Sequence, residues 1–175
     1  SAEEINDRKL DKFISDMTLE EKVGQMFFVR CPDEDAVQQV SEYNIGGYIL
    51  FGRDFDGKTK DEVVDDIHSY QNEADIPLLI GVDEEGGTVS RVGSNPDMGV
   101  PSVGDMRSLG KQQDPAAAYA AGQDIGGSLH ALGFNLDFAP VADVAQGADS
   151  VIGSRSFGSD PELCASLAGV IVKSL

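Results

Sequence analysis

The chain alternates short apolar runs with helical patterns along its whole length. Apolar runs of strand length occupy residues 26–29, 48–51, 78–82 and 134–138. Helical spacing of apolar residues, or a helix-starting Asp-Pro pair, predicts helices over 9–17, 34–43, 59–73, 114–132 and 160–175. Thr18 and Glu21 form a capping box that opens a further short helix. Strands that alternate with helices over short connections predict a parallel sheet covered by helices.

Two α/β architectures contain such a sheet: an open doubly wound sheet, and the first half of a (β/α)8 TIM-like barrel. No Gly-x-Gly-x-x-Gly follows the first predicted strand, which counts against a dinucleotide-binding open sheet. The extra length lies in predicted loops after the third and fourth strands, at 92–110 and 141–159. In a barrel such loops build the active-site face. We therefore predict that residues 1–175 form one α/β domain, a truncated half-barrel of alternating βα units.

The third predicted strand ends in an acidic, glycine-rich segment. Leu78–Val82 runs directly into Asp83, Glu84, Glu85, Gly86 and Gly87, and Arg91 follows shortly after. Ligands of α/β proteins bind just past the carboxyl ends of parallel strands, and paired glycines permit a tight turn or a close backbone approach. The segment predicts a ligand site that includes Asp83, with a solvated acidic loop as the alternative.

The net charge restricts the class of partner. Thirteen basic residues against 31 acidic residues give a net charge of −18. This charge argues against nucleic acid and against an anionic membrane surface, and it favours a neutral or cationic ligand. No run approaches the roughly 20 apolar residues of a membrane span. The serine at position 1 and the acidity fit an exported or cell-surface bacterial protein, and a cytoplasmic location is the alternative.

Metal chemistry has little support in the sequence. Cys31 and Cys164 lack metal-ligand spacing and are expected to be buried free thiols. His68 and His130 fall within predicted helices, so we expect neither a metal nor a cofactor. A metal-dependent hydrolase that uses Asp83 and Glu85 remains an alternative, and so does a carboxylate pair of Asp83 with Asp137 on the neighbouring strand.

Several motifs together resemble the N-terminal barrel domain of glycoside hydrolase family 3, and its β-N-acetylhexosaminidase branch most closely. They occur in the expected order and cover essentially the whole chain. The matching stretches are Met17–Met26, Gly46–Phe51, Asp83–Gly87, Asp137–Asp143 and Ile152–Gly158.

This resemblance implies a barrel enzyme that hydrolyses terminal β-linked sugars with retention, most often β-N-acetylglucosaminides from cell-wall material. Carried over by position, Asp83, Arg91 and Arg155 bind the sugar substrate. The chain departs from the family pattern with Glu84 in place of glutamine and with Thr88 in place of arginine. Asp143 is expected to order the loop that carries Arg155.

The family's catalytic groups do not occur in this sequence. The branch takes its acid/base from a histidine in a Lys-His-Phe-Pro-Gly-His type stretch and its nucleophile from a later aspartate, both expected downstream of Leu175. We therefore predict an inactive fragment of a glycosidase that self-associates through its exposed strand edges. Alternatives are a non-catalytic carbohydrate-binding half-barrel, or β-glucosidase or β-xylosidase specificity in the longer protein.

Overall fold

The structure is a computed structural model that describes residues 2–147 and 151–175, with side chains from residue 7 onward. Its helices are α1 (Ala2–Asp16), α2 (Leu19–Gln25), α3 (Ala36–Tyr43), α4 (Lys60–Glu73), α5 (Met106–Gln112), α6 (Pro115–Leu132) and α7 (Pro161–Ser174). Its strands are β1 (Phe28–Arg30), β2 (Gly47–Leu50), β3 (Leu79–Val82), β4 (Glu84–Gly86), β5 (Val89–Ser90) and β6 (Leu136–Asp137). Short 3₁₀ turns lie at Gly52–Asp54, Pro96–Met98 and Gly153–Arg155.

Four of these strands form one parallel sheet in the order β1-β2-β3-β6. The register aligns Tyr48 of β2 with Ile80 of β3, and Val82 of β3 with Asp137 of β6. The spatial order follows the chain order without reversal, whereas a doubly wound sheet reverses its order at the switch point. The predicted α/β fold, with the strand order of a half-barrel, is confirmed.

Helices α3, α4 and α6 cover one face of the sheet and form the core with it. Tyr48, Ile80 and Val82 have no exposed surface and belong to one apolar cluster with buried residues of α4 and α6, including Ile67 and Leu129. A second cluster joins α5, α6 and α7. Cys31 and Cys164 are free thiols buried in these two clusters, as predicted.

The other face of the sheet carries a close aromatic contact above a glycine. The rings of Phe28 and Phe138 meet edge to face with centroids 5.5 Å apart. A Cβ atom at Gly81 would lie 2.7 Å from Phe28 Cζ and 3.1 Å from the Phe138 ring, so a larger residue would push these rings apart. Leu79, two residues earlier on β3, is 50% exposed.

Two of the predicted strands are placed differently in the structure. The first was expected at 26–29 but spans Phe28–Arg30, because Met26 is the helical C-cap of α2 and its N–H bonds to carbonyls of the last turn. The fourth was expected over 134–138 but is reduced to Leu136–Asp137, because the N–H of Ile80 bonds to the side chain of Asn135 and not to a backbone carbonyl of this segment. Asn135 Oδ1 accepts the N–H of Ile80 (2.7 Å) and its Nδ2 donates to the Leu78 carbonyl (2.8 Å).

The predicted loop at 92–110 is wrong in part. Its end forms α5, which begins at an Asp105 cap whose Oδ1 accepts the N–H of Ser108 (2.9 Å). Met106 and Leu109 bury one side of this helix. Gly104 and Gly110 favoured the prediction of a loop, since glycine usually lowers helix propensity. Gly110 is required here because a Cβ would collide with the backbone of Phe157. The predicted loop at 141–159 contains the 3₁₀ turn Gly153–Arg155, and residues 148–150 lie outside the described residues.

We expect Asn135→Ala to lower the free energy of unfolding by about 1–3 kcal/mol, because it removes two bonds to the backbone of β3. Asn135→Asp keeps the acceptor for Ile80 but places a carboxylate oxygen against the Leu78 carbonyl, so its loss at neutral pH should be at least as large. Urea denaturation followed by circular dichroism measures both. Equal stability of all three proteins would show that the Asn135 side chain does not support the sheet.

Candidate functional site

The candidate site begins where β3 leaves the sheet. Asp83 follows β3 directly, and the antiparallel hairpin of β4 and β5 then turns the chain back on itself. Gly86 and Gly87 form this turn with φ angles of +82° and +59°, a conformation that favours glycine. The N–H of Arg91 donates to the Asp83 carbonyl (3.4 Å), so the hairpin brings Arg91 beside Asp83.

Asp83 and Arg91 form a loose ion pair. Arg91 Nη2 lies 3.8 Å from Asp83 Oδ2, and the two side chains are 37% and 25% exposed respectively. Arg91 Nε is buried and has no hydrogen-bond partner among the described residues. A pair at this distance leaves carboxylate oxygens and guanidinium N–H groups for a ligand with hydroxyl or carbonyl oxygens.

Arg155 is held much more tightly, by Glu85. Its Nε donates to Glu85 Oε2 (2.7 Å) and its Nη2 donates to Oε1 (2.6 Å), a bidentate pair between residues 70 positions apart. Glu85 is 4% exposed, whereas 27% of the Arg155 side chain reaches the surface. Since Glu85 occupies the Nε–Nη2 edge, the Nη1 group is the part of the guanidinium that this pair leaves unused.

The three residues predicted to bind sugar therefore meet at one edge of the sheet. Asp83 contacts Arg91 directly, and the adjacent Glu85 holds Arg155. The charge of Asp83 also helps to raise the pKa of Arg155, after the larger effect of the Glu85 hydrogen bond. Both oxygens of Glu85 accept hydrogen bonds from Arg155. The alternative of a metal ion bound by Asp83 and Glu85 therefore lacks a free second carboxylate. No group of three or more His, Cys, Asp and Glu among the described residues could hold a metal ion.

Glu84 is a buried carboxylate whose contacts the sequence analysis did not predict. It is 1% exposed, and its carboxylate accepts hydrogen bonds from Ser90 Oγ, from the N–H of Val92 (2.7 Å) and from the N–H of Gly93 (3.4 Å). Strand alternation past Val82 would have placed Glu84 on the buried side, and this is the signal that could have found it.

Asp137 supports the same segment from the neighbouring strand. Its Oδ1 accepts the N–H of Glu84 (2.9 Å), and its buried Oδ2 has no partner among the described residues. Burial raises the pKa of Asp137 to about 7, helped by the nearby charges of Glu84 and Asp83 and opposed by the Glu84 N–H. The alternative of a carboxylate pair with Asp83 gains no support, because Asp137 binds backbone next to that residue.

The loop that carries Arg155 is held by backbone contacts. Ser156 Oγ donates to the carbonyl of Asp143 (2.6 Å), so Asp143 orders this loop through its backbone, while its side chain is exposed. Arg107 on α5 donates from Nη2 to the carbonyls of Ala145 (3.0 Å) and Gly153 (3.1 Å). Both contacts bring the two ends of the loop together.

Residues 18–175 match the sequence model of the glycosyl hydrolase family 3 N-terminal domain. The chain belongs to glycoside hydrolase family 3. It is 36% identical over 149 residues to a beta-hexosaminidase of Bordetella avium, covering 81% of this chain and 41% of that protein. It is 37% identical over 157 residues to the beta-hexosaminidase LpqI of Mycobacterium tuberculosis, covering 89% of this chain and 39% of that protein.

Solved structures show the same relationship. A glycoside hydrolase family 3 beta-N-acetylglucosaminidase from Paenibacillus superposes with a TM-score of 0.80 at 37% identity, over 90% of this chain and 31% of the other. NagZ from Neisseria gonorrhoeae, in complex with N-trifluoroacetyl-D-glucosamine, superposes with a TM-score of 0.70 at 32% identity, over 85% and 46%. The chain spans about 40% of the length of the two beta-hexosaminidases named above, 41% for the Bordetella avium protein and 39% for LpqI. Among the described residues, no helix has the length and apolar character needed to cross a membrane.

We expect Asp137→Asn to change the pH dependence of stability. The raised pKa means that the folded state keeps a proton that the unfolded chain releases between pH 3.8 and about 7. The stabilisation from that proton is complete below this range and is lost as the pH rises through about 7. Asparagine still accepts from Glu84 and carries no charge. Its stability relative to the unsubstituted protein should therefore improve by about 4 kcal/mol between pH 4 and pH 8.

Urea denaturation at both pH values measures this difference. Asp124→Asn, a substitution at an exposed position of α6, is the matched control and should show no such change. A difference for Asp137→Asn that stays constant with pH would show that Asp137 titrates as an ordinary aspartate.

Proposed function

We propose that this chain forms one wall of the sugar site of a retaining β-N-acetylhexosaminidase that acts on terminal β-N-acetylglucosaminides, such as those of bacterial cell walls. The observation that carries the proposal is the pairing of Asp83 with Arg91 beside Arg155, at the carboxyl end of β3. The family membership and the beta-hexosaminidase relatives support it.

The geometry suits a neutral, polyhydroxylated ligand. A carboxylate accepts two hydroxyl hydrogen bonds at once, so Asp83 can hold adjacent hydroxyls of one sugar ring. Arg91 and the Nη1 group of Arg155 donate to hydroxyl or acetamido oxygens from fixed directions. The net charge of −18 favours an uncharged substrate over an anionic one.

The chemistry itself requires residues beyond this wall. Retaining hydrolysis needs a nucleophile and a general acid/base on either side of the glycosidic bond. His68 and His130 are exposed on α4 and α6 and do not line the site. In the proposal, the chain binds and orients the sugar, and a longer protein that contains this sequence, called the parent below, supplies both catalytic groups.

We expect the parent to hydrolyse a chromogenic β-N-acetylglucosaminide and the 175-residue chain to release no chromophore, because the chain orients sugar without a nucleophile. Assays of both proteins on that substrate, on a β-glucoside and on a β-xyloside measure the outcome. Faster turnover of the β-glucoside or β-xyloside by the parent would replace the proposed specificity. A parent silent on all three would favour a carbohydrate-binding module, and hydrolysis by the chain alone would contradict the proposal.

We expect Asp83→Ala in the parent to lower kcat/KM by about 100-fold or more, because it removes the charged acceptor of two hydrogen bonds that the sugar hydroxyls donate. Asp83→Asn should lose less, since one acceptor oxygen remains. Asp61→Asn, which changes an exposed carboxylate on the first turn of α4, is the control and should leave kcat/KM unchanged. Unchanged kcat/KM in Asp83→Ala would remove Asp83 from the binding site.

We also propose that the 175-residue chain self-associates. Strands β1 and β6 are the two edges of the parallel sheet, so their outer sides have no strand partner among the described residues, and Phe27, just before β1, is 55% exposed. Light scattering coupled to gel filtration should show an average mass that rises with protein concentration. A constant monomer mass at high concentration would show that the edges do not pair.

A further inference from the structure

We propose that Glu84 is a positioning residue that presents Arg91 to the substrate. The inference rests on the proposed role of Arg91 in sugar binding. In this role the buried Glu84 carboxylate does not touch the sugar. It determines the position of the Arg91 guanidinium.

The carboxylate of Glu84 holds the backbone on both sides of Arg91. One oxygen accepts from the hydroxyl of Ser90, the residue before Arg91. The other accepts from the N–H of Val92 at 2.7 Å and of Gly93 at 3.4 Å, the two residues after it. Val92 is fully buried, so this side of the turn is also fixed by packing.

The surrounding residues match this arrangement closely. A Cβ at Gly93 would lie 2.9 Å from Glu84 Oε1 and closer still to Ser90 Oγ, so the carboxylate occupies the space that a side chain at position 93 would need. The backbone N–H of Glu84 donates to Asp137 Oδ1 at 2.9 Å. Glu84 is therefore anchored to β6 through its backbone and to the Arg91 turn through its side chain.

Arg91 therefore has a backbone that is held in place and a guanidinium that is held only weakly. The backbone of Arg91 is fixed by Glu84 and by its own bond to the Asp83 carbonyl, while its guanidinium, among the described residues, has only the 3.8 Å pair with Asp83. Fixing the base before the ligand arrives lowers the entropy lost on binding, and lightly held N–H groups remain available to the ligand.

Two substitutions at position 84 differ in whether the new side chain can accept these hydrogen bonds. Glutamine can still satisfy the turn, because its carbonyl oxygen can accept both amides while its NH₂ group donates to Ser90 Oγ. Methionine has a similar volume but cannot accept these bonds with comparable strength. Loss of the acceptors leaves buried N–H groups without partners and frees the turn.

The test uses the 175-residue chain with N-acetylglucosamine as the probe. Binding is measured by NMR titration, and the ¹⁵N Nε–H resonance of Arg91 reports its order without sugar. We expect Glu84→Met to weaken binding about tenfold and to broaden or shift the Arg91 resonance, and Glu84→Gln to stay within about threefold of the unsubstituted chain. Ser90→Ala removes one donor and serves as a milder variant if Glu84→Met does not fold.

Two controls separate positioning from general destabilisation. Val63→Ala shortens a buried side chain on α4 and should lower Tm without changing sugar affinity. In the double variant Glu84→Met with Arg91→Ala, the two losses of affinity should not add, because Glu84 acts through Arg91. Additive losses, or full affinity in Glu84→Met, would overturn the inference.

Failure of the proposed function would give a different result from failure of the positioning role of Glu84. If the unsubstituted chain does not bind N-acetylglucosamine, the sugar site is wrong. The Arg91 resonance of Glu84→Met and Glu84→Gln still decides whether Glu84 orders this arginine. An Arg91 resonance identical in all three proteins would overturn the positioning role.

Discussion

Side chains from both directions hold the backbone of β3, and the rest of the structure depends on that strand. Gln71 of α4 bonds to both the N–H and the carbonyl of Leu78 at 2.9 Å, just before β3. Asn135 bonds to Leu78 and Ile80 from the other side, and Asp137 takes the N–H of Glu84 just beyond the end of β3. Because these contacts fix the strand at its start and just past its end, the acidic segment leaves the sheet in a defined direction.

Local patterns in the sequence predicted much of the fold. The predicted capping box Thr18–Glu21 forms, and α4 spans Lys60–Glu73 where a helix was predicted over 59–73. The parallel sheet followed from the alternation of strands and helices. Helix α5 was missed because it contains a glycine that tertiary packing requires. The strand β6 was predicted too long, because the Asn135 side chain bonds to the backbone of β3 just before β6 begins.

The site was predictable only where it is local in the chain. The end of an apolar strand located Asp83, and the family motifs located Arg91 and Arg155 without showing what holds them. The Glu85–Arg155 pair joins segments 70 residues apart, and no spacing rule connects such residues. Glu84 was visible only as a departure from the family pattern, and its role follows from three hydrogen bonds that depend on the folded hairpin.

The bidentate pair of Glu85 and Arg155 also restricts how this sequence can change over evolutionary time. Glu85 is almost fully buried, so replacing Arg155 alone leaves a carboxylate without its counter-charge, and replacing Glu85 alone releases the guanidinium. Either single substitution is therefore expected to destabilise the protein more than replacing both residues together. The two positions therefore form one evolutionary unit, and the loops after β3 and β6 that carry them are expected to diversify together.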